Sequence, residues 1–174
     1  GTTVMMAIRF GIARGVFSNE AGLGSAPMAH ATAKTDHPAR QGLWGIFEVF
    51  VDTIIMCSAT ALVILLTNAH ASGENGAMLT MHAFGLFYGA QLGAWIVVFC
   101  MILTAYDTNL AWCFYGETCS SWLLGHGPAV RVGYRLLWLP FVYLGANWKH
   151  DFVWTVSDTL NGLMAIPNLI AIVA

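Results

Sequence analysis

Long apolar runs separated by short polar stretches organise this chain. Residues 42–67 (GLWGIFEVFVDTIIMCSATALVILLT) and 90–116 (AQLGAWIVVFCMILTAYDTNLAWCFYG) each exceed the roughly 20 apolar residues that cross a bilayer as a helix. Residues 132–146 are shorter, with the apolar centre LLWLPFVYLG, and residues 152–174 form a fourth span interrupted by Asn161-Gly162 and Pro167-Asn168. The opening segment has a different pattern. Residues 4–16 are apolar around Arg9 and Arg14, the polar, glycine-rich run FSNEAGLGSAP follows at 17–27, and a short helix-like stretch continues to about Lys34. Two half-length apolar pieces around such a run predict a broken helix over about 4–34. The stretch MLTMHAFGLFYG (78–89) is too short to span and predicts an interfacial helix.

Composition agrees with this pattern. Apolar residues make up 57 % of the 174 positions and charged ones 9 %, against roughly 25 % charged in a soluble domain. Mean hydropathy is +0.66. Disorder, which needs low hydrophobicity and high charge, is excluded. Seven basic residues against nine acidic ones, with no basic stripe, also argue against nucleic-acid binding. The class predicted is an all-α integral membrane protein, with lipid as its surroundings. Lys34 and Arg40 in the 30–41 loop, with Arg131 and Arg135 in the 117–135 loop, face only Lys149 in the alternating loops. The positive-inside rule places those first two loops in the cytoplasm. Cys57, Cys100, Cys113 and Cys119 form no C-x-x-C pair and fit small apolar thiols better than a disulfide framework. A first residue of Gly1 and a last residue, Ala174, inside an apolar run predict a fragment of a longer chain.

Ionisable residues inside a span are costly, so each is a candidate for function. Glu20, Glu48 with Asp52, Asp107 and Asp158 are the candidates here. Glu48 and Asp52, four apart, fit either a cation relay or structural pairing near the cytoplasmic end. For Asp158 the structural reading is favoured. The run from Phe17 to Ser25 carries the most information. Unwound backbone at membrane depth persists only where protein buries it or where it lines a wet cavity. Its freed carbonyls can coordinate a cation, and its freed N–H groups can hold an anionic group. Gly22 and Gly24 permit positive φ and close approach; an ordinary glycine hinge is the alternative.

Tyr106-Asp107-Thr108-Asn109 sets four polar residues inside an apolar span, with Thr104 one turn before Thr108. Their oxygens suit an alkali cation, although threonines also bond back to the i−4 carbonyl without further role. The spacing Gly85, Gly89, Gly93 is a packing signal in membrane helices. Trp44, Trp122, Trp148 and Trp154 read as interface anchors, and Trp112, one turn after Thr108, as a possible cavity wall. No metal-ligand spacing, nucleophile elbow or P-loop is present, so the chain reads as a non-enzyme without an organic cofactor.

The segments RGVFSNEAGLGSAPMAHATA (14–33), HPARQGLWGIFEVFVDTIIMC (37–57), TALVIL (60–65), WCFYGETC (112–119) and LNGLMAIPNLIAI (160–172) resemble the sodium:alanine/glycine symporter family of amino acid carriers. That resemblance implies a LeuT-like inverted-repeat transporter, of which this chain is the second five-helix repeat with a broken first helix. It implies that Phe17, Ser18, Asn19, Glu20, Ala21 and Gly22 contribute to an alanine or glycine pocket lined by Trp112. It further implies a sodium site that includes Thr108, with Thr104 and Asp107 as further cation candidates. Asp107 stands where the family usually has Ser, and Asn109 and Ala111 replace an apolar residue and a glycine.

The reading is therefore sodium-coupled symport of a small neutral amino acid, in a multi-pass protein of the cell membrane, by inference the bacterial inner membrane. The missing N-terminal repeat of the same protein would be its structural partner. Proton coupling through Asp107 is the first rival. A channel or membrane scaffold is the second, although a channel would spread polarity along one helix face rather than in two midplane patches.

Overall fold

A computed structural model describes residues 2–174. Every element among the described residues is helical: α1 (Thr2–Ser18), α2 (Ala26–His30), α3 (Pro38–Val49), α4 (Ser58–Leu66), α5 (Gly76–Tyr88), α6 (Ala90–Leu124), α7 (Pro128–Asn147) and α8 (His150–Val173). A π-helical stretch, Phe50–Cys57, joins α3 to α4, and a 3₁₀ turn, Ala69–Ser72, follows α4. Among the described residues, three continuous helices are long and apolar enough to cross a membrane: Pro38–Leu66, Ala90–Leu124 and His150–Val173. The stretch expected to span at 132–146 lies in α7, a 20-residue helix that carries Arg131 and Arg135 in its first half and Pro140 inside it.

Local chemistry sets the element ends. Pro38 and Pro128 open α3 and α7, where a missing N–H costs nothing. Gly125, at φ +102°, ends α6, and its N–H bonds the Ser121 carbonyl at 3.0 Å. The second half of the broken helix is shorter than the pattern suggests. α2 stops at His30, and Thr32 caps it, its N–H and its hydroxyl both donating to the Ala29 carbonyl, at 3.0 and 2.8 Å. The π-helical stretch closes its turns at i→i+5 rather than i→i+4, a rare geometry concentrated at functional sites. It carries Asp52 and Thr53.

The chain divides into two compact units, Gly1–Gly42 with Ala111–Ala174, and Leu43–Leu110. In the second unit, α4, α5 and the 3₁₀ turn pack together, burying Ala69 and Ala83. Gly89, at φ +93°, turns the chain from α5 into α6. There Gly93 lies so close to the backbone of Phe84 and Gly85 that a Cβ would collide with it.

In the first unit the buried positions are Leu23, Ser25, Tyr115 and Ser121. α6 and α7 meet through Glu117, which accepts from Arg135 at 2.6 and 3.2 Å, and through Gly116, whose missing Cβ leaves room for the Tyr134 hydroxyl. Elsewhere large apolar side chains point outward, among them Leu66 at 83 % and Val173 at 86 % exposure. Water would penalise that surface at roughly 25 cal/mol per Å²; a hydrocarbon environment does not. This is a membrane protein.

Candidate functional site

The break between α1 and α2 is the chain's most unusual backbone. Three of its residues have left-handed φ: Glu20 at +50°, Gly22 at +76° and Gly24 at +80°. Glycine takes that region without penalty, whereas for glutamate it costs about 1–2 kcal/mol. The Glu20 conformation is held by its own side chain, whose carboxylate accepts a 2.8 Å hydrogen bond from the Ser25 hydroxyl. Ser25 is fully buried, so this bond also satisfies a hydroxyl removed from solvent. Tight turns complete the segment: the Ala21 N–H bonds the Val16 carbonyl at 3.1 Å, and the Leu23 N–H bonds the Glu20 carbonyl at 3.2 Å.

α8 fastens this segment from outside. Asn168 Nδ2 donates to the Gly22 carbonyl at 3.0 Å. A Cβ on Gly24 would lie 2.7 Å from Asn168 Oδ1, so the asparagine occupies the space that the glycine leaves open.

Just before the break, aromatic rings gather. Phe17 stacks on Trp112 of α6, with centroids 6.4 Å apart and planes 15° from parallel, and meets Trp154 of α8 edge-on at 5.6 Å. The Arg14 guanidinium lies 3.8 Å from the centroid of the Trp154 ring and forms a two-pronged ion pair with Asp158 at 2.8 and 3.0 Å. Trp154 Nε1 donates to His150 Nε2 at 2.7 Å, one turn earlier on α8.

The structure thus brings Phe17 and Trp112 together and joins Glu20 to Ser25 across the loop. Asn19 and Gly22 are half-buried in the same segment, while Ser18 and Ala21 are exposed. Thr104, Asp107 and Thr108 lie in the second unit, all on exposed faces of α6. The Thr104 hydroxyl donates to its own helix, to the Cys100 carbonyl at 3.0 Å and the Met101 carbonyl at 3.3 Å. Asn109 does the same to the Ala105 carbonyl at 2.8 Å. Among the described residues, no three His, Cys, Asp or Glu side chains converge as a metal site would require.

Asn168 and Trp154 were not expected as parts of this site, whereas Ser25 closes the Phe17–Ser25 run that the sequence marked out. Pro167 directly before Asn168 in an apolar span was the available signal, since proline inside a helix marks a departure from the regular ladder.

The model of the sodium:alanine symporter family matches residues 1–174. The chain belongs to that family. An uncharacterized transporter of Haemophilus influenzae is 47 % identical over 174 residues, covering 99 % of this chain and 38 % of that protein. The sodium/alanine symporter AgcS of Methanococcus maripaludis is 43 % identical over 176 residues, again 99 % of this chain and 38 % of the relative. A Bacillus subtilis protein named as a probable sodium/glutamine symporter, GlnT, is 38 % identical over 173 residues, 99 % and 36 % respectively. The chain therefore spans less than two-fifths of the length of these symporter-family relatives. No solved structure matches it.

Proposed function

We propose that this chain is the second five-helix repeat of a LeuT-like secondary transporter that carries a small neutral amino acid together with sodium across the bacterial inner membrane. The observation that carries the proposal is the break at Asn19–Ser25, where three left-handed residues separate α1 from α2. In hydrocarbon such backbone has no water to satisfy it, so it belongs where a ligand or protein group meets it. Family membership and the relatives' printed names supply the class of cargo.

In this reading Phe17 and Ser18, which end α1, line the pocket together with Asn19, Glu20, Ala21 and Gly22 of the break. The turned backbone at the break, whose Asn19, Glu20, Ala21 and Leu23 N–H groups already bond backbone carbonyls, meets the substrate at Gly22, and the Phe17–Trp112 stack limits the room for its side chain. Small substrates such as alanine or glycine fit that wall. Thr108, with Thr104 and Asp107, offers the hard oxygen atoms that sodium prefers, and sodium is cargo here rather than a resident cofactor. An N-terminal repeat of the same protein supplies the remaining ligands, and rocking of one bundle against the other gives alternating access.

Asp107 supports a second reading, in which a proton replaces sodium. A carboxylate inside an apolar helix is a proton-relay group by chemistry, and α6 carries it in the middle of its span. Uptake of labelled alanine into proteoliposomes, under a sodium gradient and then under a proton gradient, separates the two.

A further inference from the structure

The clamp between α8 and the break has a consequence for the transport site. Asn168 makes two distinct approaches to the unwound segment: its Nδ2 donates to the Gly22 carbonyl at 3.0 Å, and its Oδ1 side fills the place of a Gly24 Cβ. Gly22 and Gly24 are both left-handed, so the two residues that Asn168 grips are the ones that turn the chain. The Glu20–Ser25 hydrogen bond closes the loop on itself. It does not tie the loop to any other helix, whereas Asn168 does. Pro167 removes one N–H from the α8 ladder immediately before this residue, which loosens helix regularity where the side chain must reach sideways.

We propose that Asn168 is a positioning residue for substrate binding. It fixes the height and rotation of the unwound segment, so that the backbone groups on either side of Gly22 stand where the amino acid binds. A carbonyl at this depth without a donor would carry the full penalty of an unmet hydrogen bond, and the segment would turn to relieve it. The bond orients a loop that touches substrate in both the ground state and the moving state, so its loss weakens affinity rather than turnover. This inference rests on the assignment of the break as part of the substrate site.

The test uses the complete reading frame that contains this chain, in proteoliposomes under a sodium gradient with labelled alanine. Asn168→Leu keeps the branched outline of the side chain, at a larger volume, and removes the donor. The expected result is a KM raised about tenfold with the maximal rate within about twofold of wild type, the signature of lost uniform binding. An unchanged KM, or a fall in rate alone, overturns the proposal. A second comparison does not depend on that variant reaching the membrane. Gly24→Ala should raise the KM severalfold more in the wild-type background than in Asn168→Ala, because removing the asparagine makes room for the added methyl. Equal penalties in both backgrounds overturn the clamp. A wild-type protein that takes up neither alanine, glycine nor glutamine overturns the substrate-site assignment itself, an outcome distinct from active wild type with an indifferent Asn168.

Discussion

Arg14 and Asp158 lie far apart in sequence and form a two-pronged ion pair, with contacts of 2.8 and 3.0 Å, that fastens α1 to α8 one turn before the helix breaks. Both side chains are about one-third to two-fifths exposed in this chain, at 34 % and 44 %. The guanidinium also faces the Trp154 ring, which meets Phe17 and His150 as well. A charge pair and an aromatic stack therefore bear on the same entrance to the unwound segment.

Removing either charge leaves the other unmatched in an apolar setting. After allowance for partial exposure, the expected loss is about 1 kcal/mol, or roughly fivefold in alanine uptake, for Arg14→Gln and for Asp158→Asn. The exchanged pair Arg14→Asp with Asp158→Arg should recover part of that loss. Uptake rates of the four proteins, normalised to the amount in the membrane, check this. A double exchange no better than the worse single variant would show that the pair is not the relevant contact.

Phe17→Ala removes contacts with both Trp112 and Trp154, each aromatic pair being worth about 0.5–1.5 kcal/mol beyond its buried area. In the proposed site the wall against the substrate side chain then recedes. Competition by leucine and phenylalanine against labelled alanine should strengthen in the variant, while the affinity for alanine itself falls. Unchanged competition would remove Phe17 from the pocket wall.

Gly93 meets the backbone of Phe84 and Gly85, which cannot step aside as a side chain could. Gly93→Ala should destabilise the protein by about 1–3 kcal/mol, the range for overpacking a tight contact. Gly11, also helical, has nothing within 4 Å of an added Cβ. Gly11→Ala is the control and should leave stability unchanged or slightly raised, because alanine is the better helix former. Thermal unfolding of both variants in detergent gives the comparison.

The position of the break was legible because Gly22 and Gly24 are the residues that left-handed backbone selects, set in a polar run between apolar ones. The left-handed Glu20 was not, since its conformation depends on a bond to Ser25 that no composition rule foretells. Asn168 and Gly22 stand 146 residues apart, and a single sequence carries no pairing information over that distance. Asp158 was visible as a costly intramembrane carboxylate, but its partner Arg14 was not. The π-helical stretch at Phe50–Cys57 was equally hidden, because i→i+5 and i→i+4 ladders are built from the same apolar residues. Apolar run length pointed to helices at 42–67, 90–116 and 152–174; the helix that begins at Ala90 continues to Leu124, past the apolar run, because the polar residues from Glu117 onward still favour a helical ladder.

Asp107 offers the sharpest distinction between the two coupling ions. Asp107→Ser keeps a hydroxyl oxygen for sodium and removes the titrating group. If sodium is the coupling ion, uptake under a sodium gradient survives this substitution within about tenfold, a loss of up to 1.4 kcal/mol. If protons are, the substitution abolishes uptake driven by a pH gradient.

Substrate-coupled transport itself is tested most directly by labelled alanine uptake into proteoliposomes holding the complete reading frame, with an inward sodium gradient and with the same salt on both sides. The expected result is accumulation above the equilibrium level only when the gradient is present, competed by unlabelled glycine. Equal uptake with and without any sodium or proton gradient would contradict it.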